Sequence, residues 1–197
     1  MSDEVSRFLA QGRLWSRDEI LAAPSPVPAQ AGVYGWWFSS LPWPGIDIDG
    51  CCRSQDFTLL YVGISPDRPP ANGRPASRQN LRKRISQHYT RTAAASTLRR
   101  SLGCLLATQL GIGLQLAGSS GRRTNFGAGE QVLSQWMAAN AYVSWIVREH
   151  PWELEDNLIG CLDLPLNLQG NQRNPFHPVL TQARARCLAQ ARTANLT

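Results

Sequence analysis

The sequence predicts a mixed α/β fold of the α+β kind: a small, mainly antiparallel central sheet of three strands, flanked by helices. Three observations predict it. Aromatic and β-branched residues dominate residues 32–38 and again residues 57–64, which reads as two buried strands. Residues 142–147 alternate as a third strand. Between and around them lie segments with helix-capping residues and apolar residues at helical spacing. A chain of 197 residues is long enough for one domain with a sizeable core and too short for two comfortable ones. The expected organisation is a helical lead-in over 1–30, a main domain over 31–168, and a C-terminal turn and helix over 169–197 packed on that domain.

The elements follow in order. Ser16, Arg17, Asp18 and Glu19 fit a capping box, in which serine oxygen and glutamate carboxylate each satisfy free amides at a helix start, so a short helix runs to about Ala23. Pro24, Pro26 and Pro28 make an extended lead-in to the first strand. Trp36 and Trp37 occupy adjacent strand positions, so one is expected to face inward and the other outward, free to stack on a base or to cover part of the core. The stretch between the first two strands holds Pro42, Pro44, Gly45, Asp47, Asp49 and Gly50, and reads as a long hairpin loop, an insertion over 39–56, rather than extra core. Residues 66–77 form a loop rich in proline, glycine, asparagine and arginine. A helix over 78–89 carries Leu81, Ile85 and Tyr89 toward the core, with Arg84 and His88, four apart, on another face.

Ser96 caps a further helix through about residue 110, whose apolar face is Leu98, Leu102, Leu105 and Leu106. Residues 111–129, rich in glycine and serine, read as a mobile loop that either closes over a ligand or stays disordered. A helix over 130–139 precedes the third strand. Pro151 at a first-turn position starts the helix carrying Glu155, and a terminal helix spans about 179–191.

Composition narrows the function classes. No segment approaches the roughly 20 apolar residues of a membrane span, and the acidic start Met1-Ser2-Asp3-Glu4 is unlike a secretory signal, so a soluble, cytoplasmic protein is expected. Cys51, Cys52, Cys104, Cys161 and Cys187 show neither an even disulfide framework nor paired zinc-ligand spacing, and read as reduced and mostly packed thiols. The formal net charge is +6 and Lys83 is the only lysine. Guanidinium forks suit phosphate oxygens, so the excess points toward a polyanionic partner, although genome base composition would produce the same count.

An ordered set of short motifs narrows the function further: Gly32-Val33-Tyr34, then Tyr61-Val62-Gly63, then Leu81-Arg82-Lys83-Arg84-Ile85-Ser86-Gln87-His88, then Leu154-Glu155-Asp156-Asn157-Leu158-Ile159 with Pro165-Leu166-Asn167. In this order and with these residues, the chain resembles the GIY-YIG nuclease family from about Gly32 to Asn167. One departure is plain: the family keeps its two tyrosine motifs close together, and here residues 39–58 intervene.

The resemblance implies a divalent-metal-dependent endonuclease hydrolysing phosphodiester bonds in DNA, with RNA also open as a substrate. It implies catalytic roles for Tyr34, Tyr61, Arg84, His88, Glu155 and Asn167. Glu155 would be the metal ligand, since Mg2+ or Mn2+ prefers carboxylate oxygen and takes only one or two protein ligands. Arg84 would contact the scissile phosphate. His88, with an unperturbed pKa of about 6.5, could take or relay a proton or simply pack. Tyr34 and Tyr61 would line the site, one assisting the attacking water, with Tyr34 favoured. Asn167 would hold the active-site loop through an amide that donates and accepts at once, or cap a local turn. Arg82, Lys83, Arg99, Arg100, Arg122 and Arg123, with Arg74 and Arg78, could track a nucleic-acid backbone. Two other readings compete: an inactive nucleic-acid-binding module of the same fold, and an arginine-rich protein-interaction scaffold.

Overall fold

The computed structural model describes residues 3–10, 12–70, 77–118 and 123–194. In chain order these form α1 (Asp3–Leu9), α2 (Arg17–Leu21), β1 (Gly32–Phe38), β2 (Arg53–Ser54), β3 (Phe57–Ser65), α3 (Leu81–Thr90) and α4 (Thr97–Leu105). They continue with α5 (Ala107–Leu110), β4 (Gln115–Ala117), β5 (Arg123–Asn125), α6 (Gly129–Asn140), β6 (Ala141–Val147), α7 (Pro151–Cys161) and α8 (His177–Ala194). The main sheet is antiparallel with order β2-β3-β1-β6, so it has four strands where the sequence predicts three. The fourth is β2, which comes from the insertion and pairs Arg53 with Thr58 along the outer edge of β3. Nor is the insertion only a loop: it sends Ile46 and Cys51 into the core.

β1 lies at the centre because it alone is apolar and aromatic along its whole length, and all seven of its residues are buried. Its alternation divides the core. Tyr34, Trp36 and Phe38 face one layer with Leu81 and Ile85 of α3, while Val33 and Trp37 face another with Phe8 of α1 and Leu154 and Leu158 of α7. Because helices cover both faces, both tryptophans are buried, and the expected outward, base-stacking tryptophan does not exist. Trp37 donates its indole Nε1–H to Ser144 Oγ at 2.9 Å.

The caps follow the sequence closely. α2 has the full capping box between Ser16 and Glu19. Asn80 caps α3 by accepting from the Lys83 N–H, and Ser96 caps α4 by accepting from the Arg99 N–H. The helix expected to run through residue 110 breaks at Leu106 (φ −87°, ψ 0°), which separates α4 from α5. Within the segment expected to be a mobile loop, Gln115–Ala117 and Arg123–Asn125 pair as β4 and β5, and Ile112, Leu114 and Phe126 are buried in the core, while 119–122 lie outside the described residues. α8 packs on α4 and β4. Among the described residues no helix is long and apolar enough to cross a membrane.

Candidate active site

The two tyrosines reach the same face of the sheet through register and one irregularity. Tyr34 lies opposite Gly63, and Trp36 lies opposite Tyr61, all within the β1–β3 ladder. Between Trp36↔Tyr61 and Trp37↔Leu59 the register slips, leaving Leu60 as an extra residue on β3. That bulge lets Leu60 and Tyr61 both join the layer that holds Tyr34. Gly63 is needed where it stands: a Cβ there would lie 2.6 Å from the Tyr34 hydroxyl oxygen. The phenol therefore lies flat across a strand position that no other residue type could occupy without displacing it.

α3 supplies the next two groups one turn apart. The Arg84 guanidinium is steadied by donating Nη1–H to the Ala95 carbonyl at 3.2 Å, and its charge acts on both phenols. His88 is fully buried behind Tyr34, with Nε2 2.9 Å from the Tyr34 hydroxyl and Nδ1 2.7 Å from Ser96 Oγ. Asn167 is buried against the outer edge of β3. Its Oδ1 accepts from the Val62 N–H and its Nδ2–H donates to the Val62 carbonyl, each at 2.9 Å. In effect the side-chain amide imitates a paired strand, beside the Leu166 N–H that donates to the Leu60 carbonyl. It fixes the stretch of β3 that bears Tyr61.

Tyr34, Tyr61, Arg84, Glu155 and Asn167 thus line a single open cleft of about 900 Å3, drawn from both sheet strands, α3, α7 and the segment after α7. The profile of the GIY-YIG catalytic domain matches residues 32–186. The chain belongs to the GIY-YIG family. No curated protein and no solved structure matches it. As a GIY-YIG domain it carries a nuclease-type module, and Tyr34, Tyr61, Arg84 and Glu155 stand on β1, β3, α3 and α7 within the matched range.

Charge in the GIY-YIG cleft is unevenly matched. Burial raises the Glu155 carboxyl to about 7, with the nearby Asp156 and Asp67 adding to the rise and Arg68 opposing it. Asp156 has its own partner, Arg68, at 2.6 Å, whereas Glu155 makes no hydrogen bond or ion pair among the described residues. Burial also raises Tyr34 and Tyr61, so both are neutral phenols near neutral pH. Burial, with Arg84 and Arg99 facing it, holds His88 well below its ordinary value, so the imidazole is neutral too.

Several lining residues escape sequence reading: Asp67, Arg68, Thr97, Ser101, Trp152 and Arg184. Thr97 and Ser101 sit four apart on α4, so a polar stripe on that helix was the available signal. Arg184 comes from the terminal helix, and nothing local in its sequence places it at the cleft. Asn174 accepts from the Phe176 N–H at 2.9 Å and so shapes the turn into α8, which begins at His177.

The basic residues diverge. Arg82, Lys83, Arg78 and Arg123 are exposed, although Arg82 also donates Nε–H to the Val27 carbonyl at 2.7 Å. Arg100 is half-buried, while Arg74 and Arg122 lie outside the described residues. Arg99 requires a correction. It is wholly buried, its guanidinium 2.7 Å from Glu130, and it also donates to the His88, Tyr89 and Glu130 carbonyls and to Ser134 Oγ. A guanidinium spent on these five partners ties α4 to α3 and α6, and no phosphate can reach it.

Proposed function

We propose that this GIY-YIG domain is a divalent-metal-dependent endonuclease that hydrolyses phosphodiester bonds in DNA. The observation that carries the reading is the convergence of Glu155, Arg84, Tyr34 and Tyr61 on one open cleft. Phosphodiester hydrolysis needs an oriented water and a cationic environment for the phosphoryl oxygens, and these residue types supply both.

The donor chemistry fits a hard cation. Glu155 presents carboxylate oxygen to the cleft with no cation among the described residues paired to it, and burial, with Asp156 and Asp67 nearby, raises its pKa, a cost that a bound cation would offset. Glu155 would hold Mg2+ or Mn2+, which supplies charge neutralisation at the phosphoryl oxygens when bound. Arg84, braced on the Ala95 carbonyl, holds the scissile phosphate, and Tyr61 donates its phenolic O–H toward the same group.

Tyr34 positions the water. In the tautomer that donates Nδ1–H to Ser96, His88 accepts the Tyr34 O–H at Nε2, which leaves a phenolic lone pair for a water hydrogen. As water attacks phosphorus, its proton moves to the Tyr34 oxygen while the phenolic proton moves to His88, so no free phenolate is formed. Arg84 opposes a charge on His88. A phosphate seated on Arg84 weakens that opposition and ties proton acceptance to substrate binding.

The reading predicts that Arg84→Ala loses at least about a hundredfold in single-turnover cleavage of labelled duplex DNA, the scale of removing one preorganised charge-stabilising group, while circular dichroism stays unchanged. Undiminished turnover by that variant contradicts the phosphate role.

A further inference from the structure

Arg184 on α8 lines the cleft yet makes no hydrogen bond or ion pair among the described residues. The titratable groups facing it are Arg100, Cys104 and Tyr61. None of them answers its charge. Arg100 is another cation, while the Cys104 thiol and the Tyr61 phenol are both held in their neutral forms, Cys104 through its contact with the Cys187 thiol and through burial, and Tyr61 through burial.

The packing of α4 against α8 explains why two guanidinium groups meet here. Cys187 Sγ approaches the Cys104 carbonyl at 3.9 Å. Arg184 lies three residues before Cys187 and Arg100 four before Cys104, so both arginines project from the turn before that contact. Arg100 is no better satisfied: its Nε is buried without a partner, and one Nη2–H reaches the Ala93 carbonyl only at 3.5 Å. Beside them Ser101 is 2% exposed, lines the cleft, and its hydroxyl bonds to no described residue. Two like charges in a partly desolvated place, with an idle hydroxyl and no carboxylate, are costly until an anion arrives.

We propose that Arg184, backed by Arg100 and joined by the Ser101 hydroxyl, forms a second phosphate subsite in the cleft, which takes the non-bridging oxygens of a backbone phosphate flanking the one at Arg84. This deepens the nuclease reading and rests on it. The subsite carries no base-reading group, so it contributes affinity and register along the strand without sequence preference. It also gives the terminal helix a functional role: α8 brings a cation to a cleft whose other groups come from the tyrosine strands and the helices after them.

The test uses the full chain carrying Glu155→Gln, so that bound DNA persists. Anisotropy of a labelled duplex is followed over a range of potassium chloride concentrations for that protein alone and with Arg184→Gln, Arg184→Lys or Ser101→Ala added. The subsite predicts about a tenfold weaker Kd for Arg184→Gln and a slope of log affinity against log salt shallower by about one. Arg184→Lys restores the slope, and Ser101→Ala weakens binding several-fold without changing it. Equal affinity and slope in Arg184→Gln, with DNA bound normally, overturn the subsite while the nuclease reading stands. If no variant binds DNA, the nuclease reading fails, and tripolyphosphate replaces DNA as the probe. A rise in melting temperature that Arg184→Gln abolishes then supports an anion subsite, and an equal rise in both proteins overturns it.

Discussion

Glu155 is the residue on which the site's pH behaviour turns. Its folded-state pKa lies above the ordinary 4.5, at about 7, so the fold binds its proton more tightly than the unfolded chain does. The stability this gives is present below pH 4.5 and is lost as pH rises through 7. Glu155→Gln is therefore expected to raise the melting temperature in chelator at pH 8 and to leave it nearly unchanged at pH 4, a comparison that thermal scans at the two pH values make directly. Divalent-cation affinity should climb with pH up to about 7, with proton release on binding below it. Gly63 gives a second residue-scale test: Gly63→Ala pushes the Tyr34 ring aside. Cleavage should fall steeply while the sheet survives, as seen by activity alongside far-ultraviolet circular dichroism. At this scale the motif residues were legible, since each belongs to a short recognisable string. Ser96 was legible only as a helix cap; its second bond, to His88, depends on how α3 and α4 meet, which no local pattern encodes.

At the scale of elements, the best-read pieces were those whose signals are local. The capping box of α2, the Ser96 cap and the extent of β1 all follow from neighbouring residues. The errors came where a distant partner decided the outcome. Residues on either side of a serine- and glycine-rich run pair as β4 and β5, with α8 packed against β4. The insertion acquired β2 because the β3 edge at Thr58 accepts a strand. Arg99 looked like one half of a surface arginine pair, and only the arrival of Glu130 from α6 makes it the buried clamp between α3, α4 and α6. Removing one member of such a pair leaves the other charge buried, so Arg99→Met should cost about 3–5 kcal/mol in chemical denaturation. A cost within about 0.5 kcal/mol, typical of surface substitutions, would show that the clamp carries little.

Across the whole molecule, a basic chain of net charge +6 sets the groups proposed to react in a cleft rather than on a flat face. The exposed Arg82, Lys83 and Arg123 lie outside that cleft, which on the proposed reading suits them to hold flanking backbone beside the phosphate in the cleft. Affinity for DNA should accordingly fall as salt rises; binding indifferent to salt would remove phosphate contacts from the account. The family was visible in the order of motifs, because Tyr34, Tyr61, Arg84 and Glu155 follow one another along the chain inside the matched range. What could not be read was how far α8 reaches, since the position of Arg184 depends on helix packing across the molecule. The most direct test is nicking of supercoiled plasmid by the full chain and by Glu155→Gln, with magnesium, with manganese and with chelator. The account predicts metal-dependent nicking by the unmodified protein alone, with both proteins folded. Nicking by Glu155→Gln at the same rate, or tight binding by both proteins with no nicking in either metal, would contradict it.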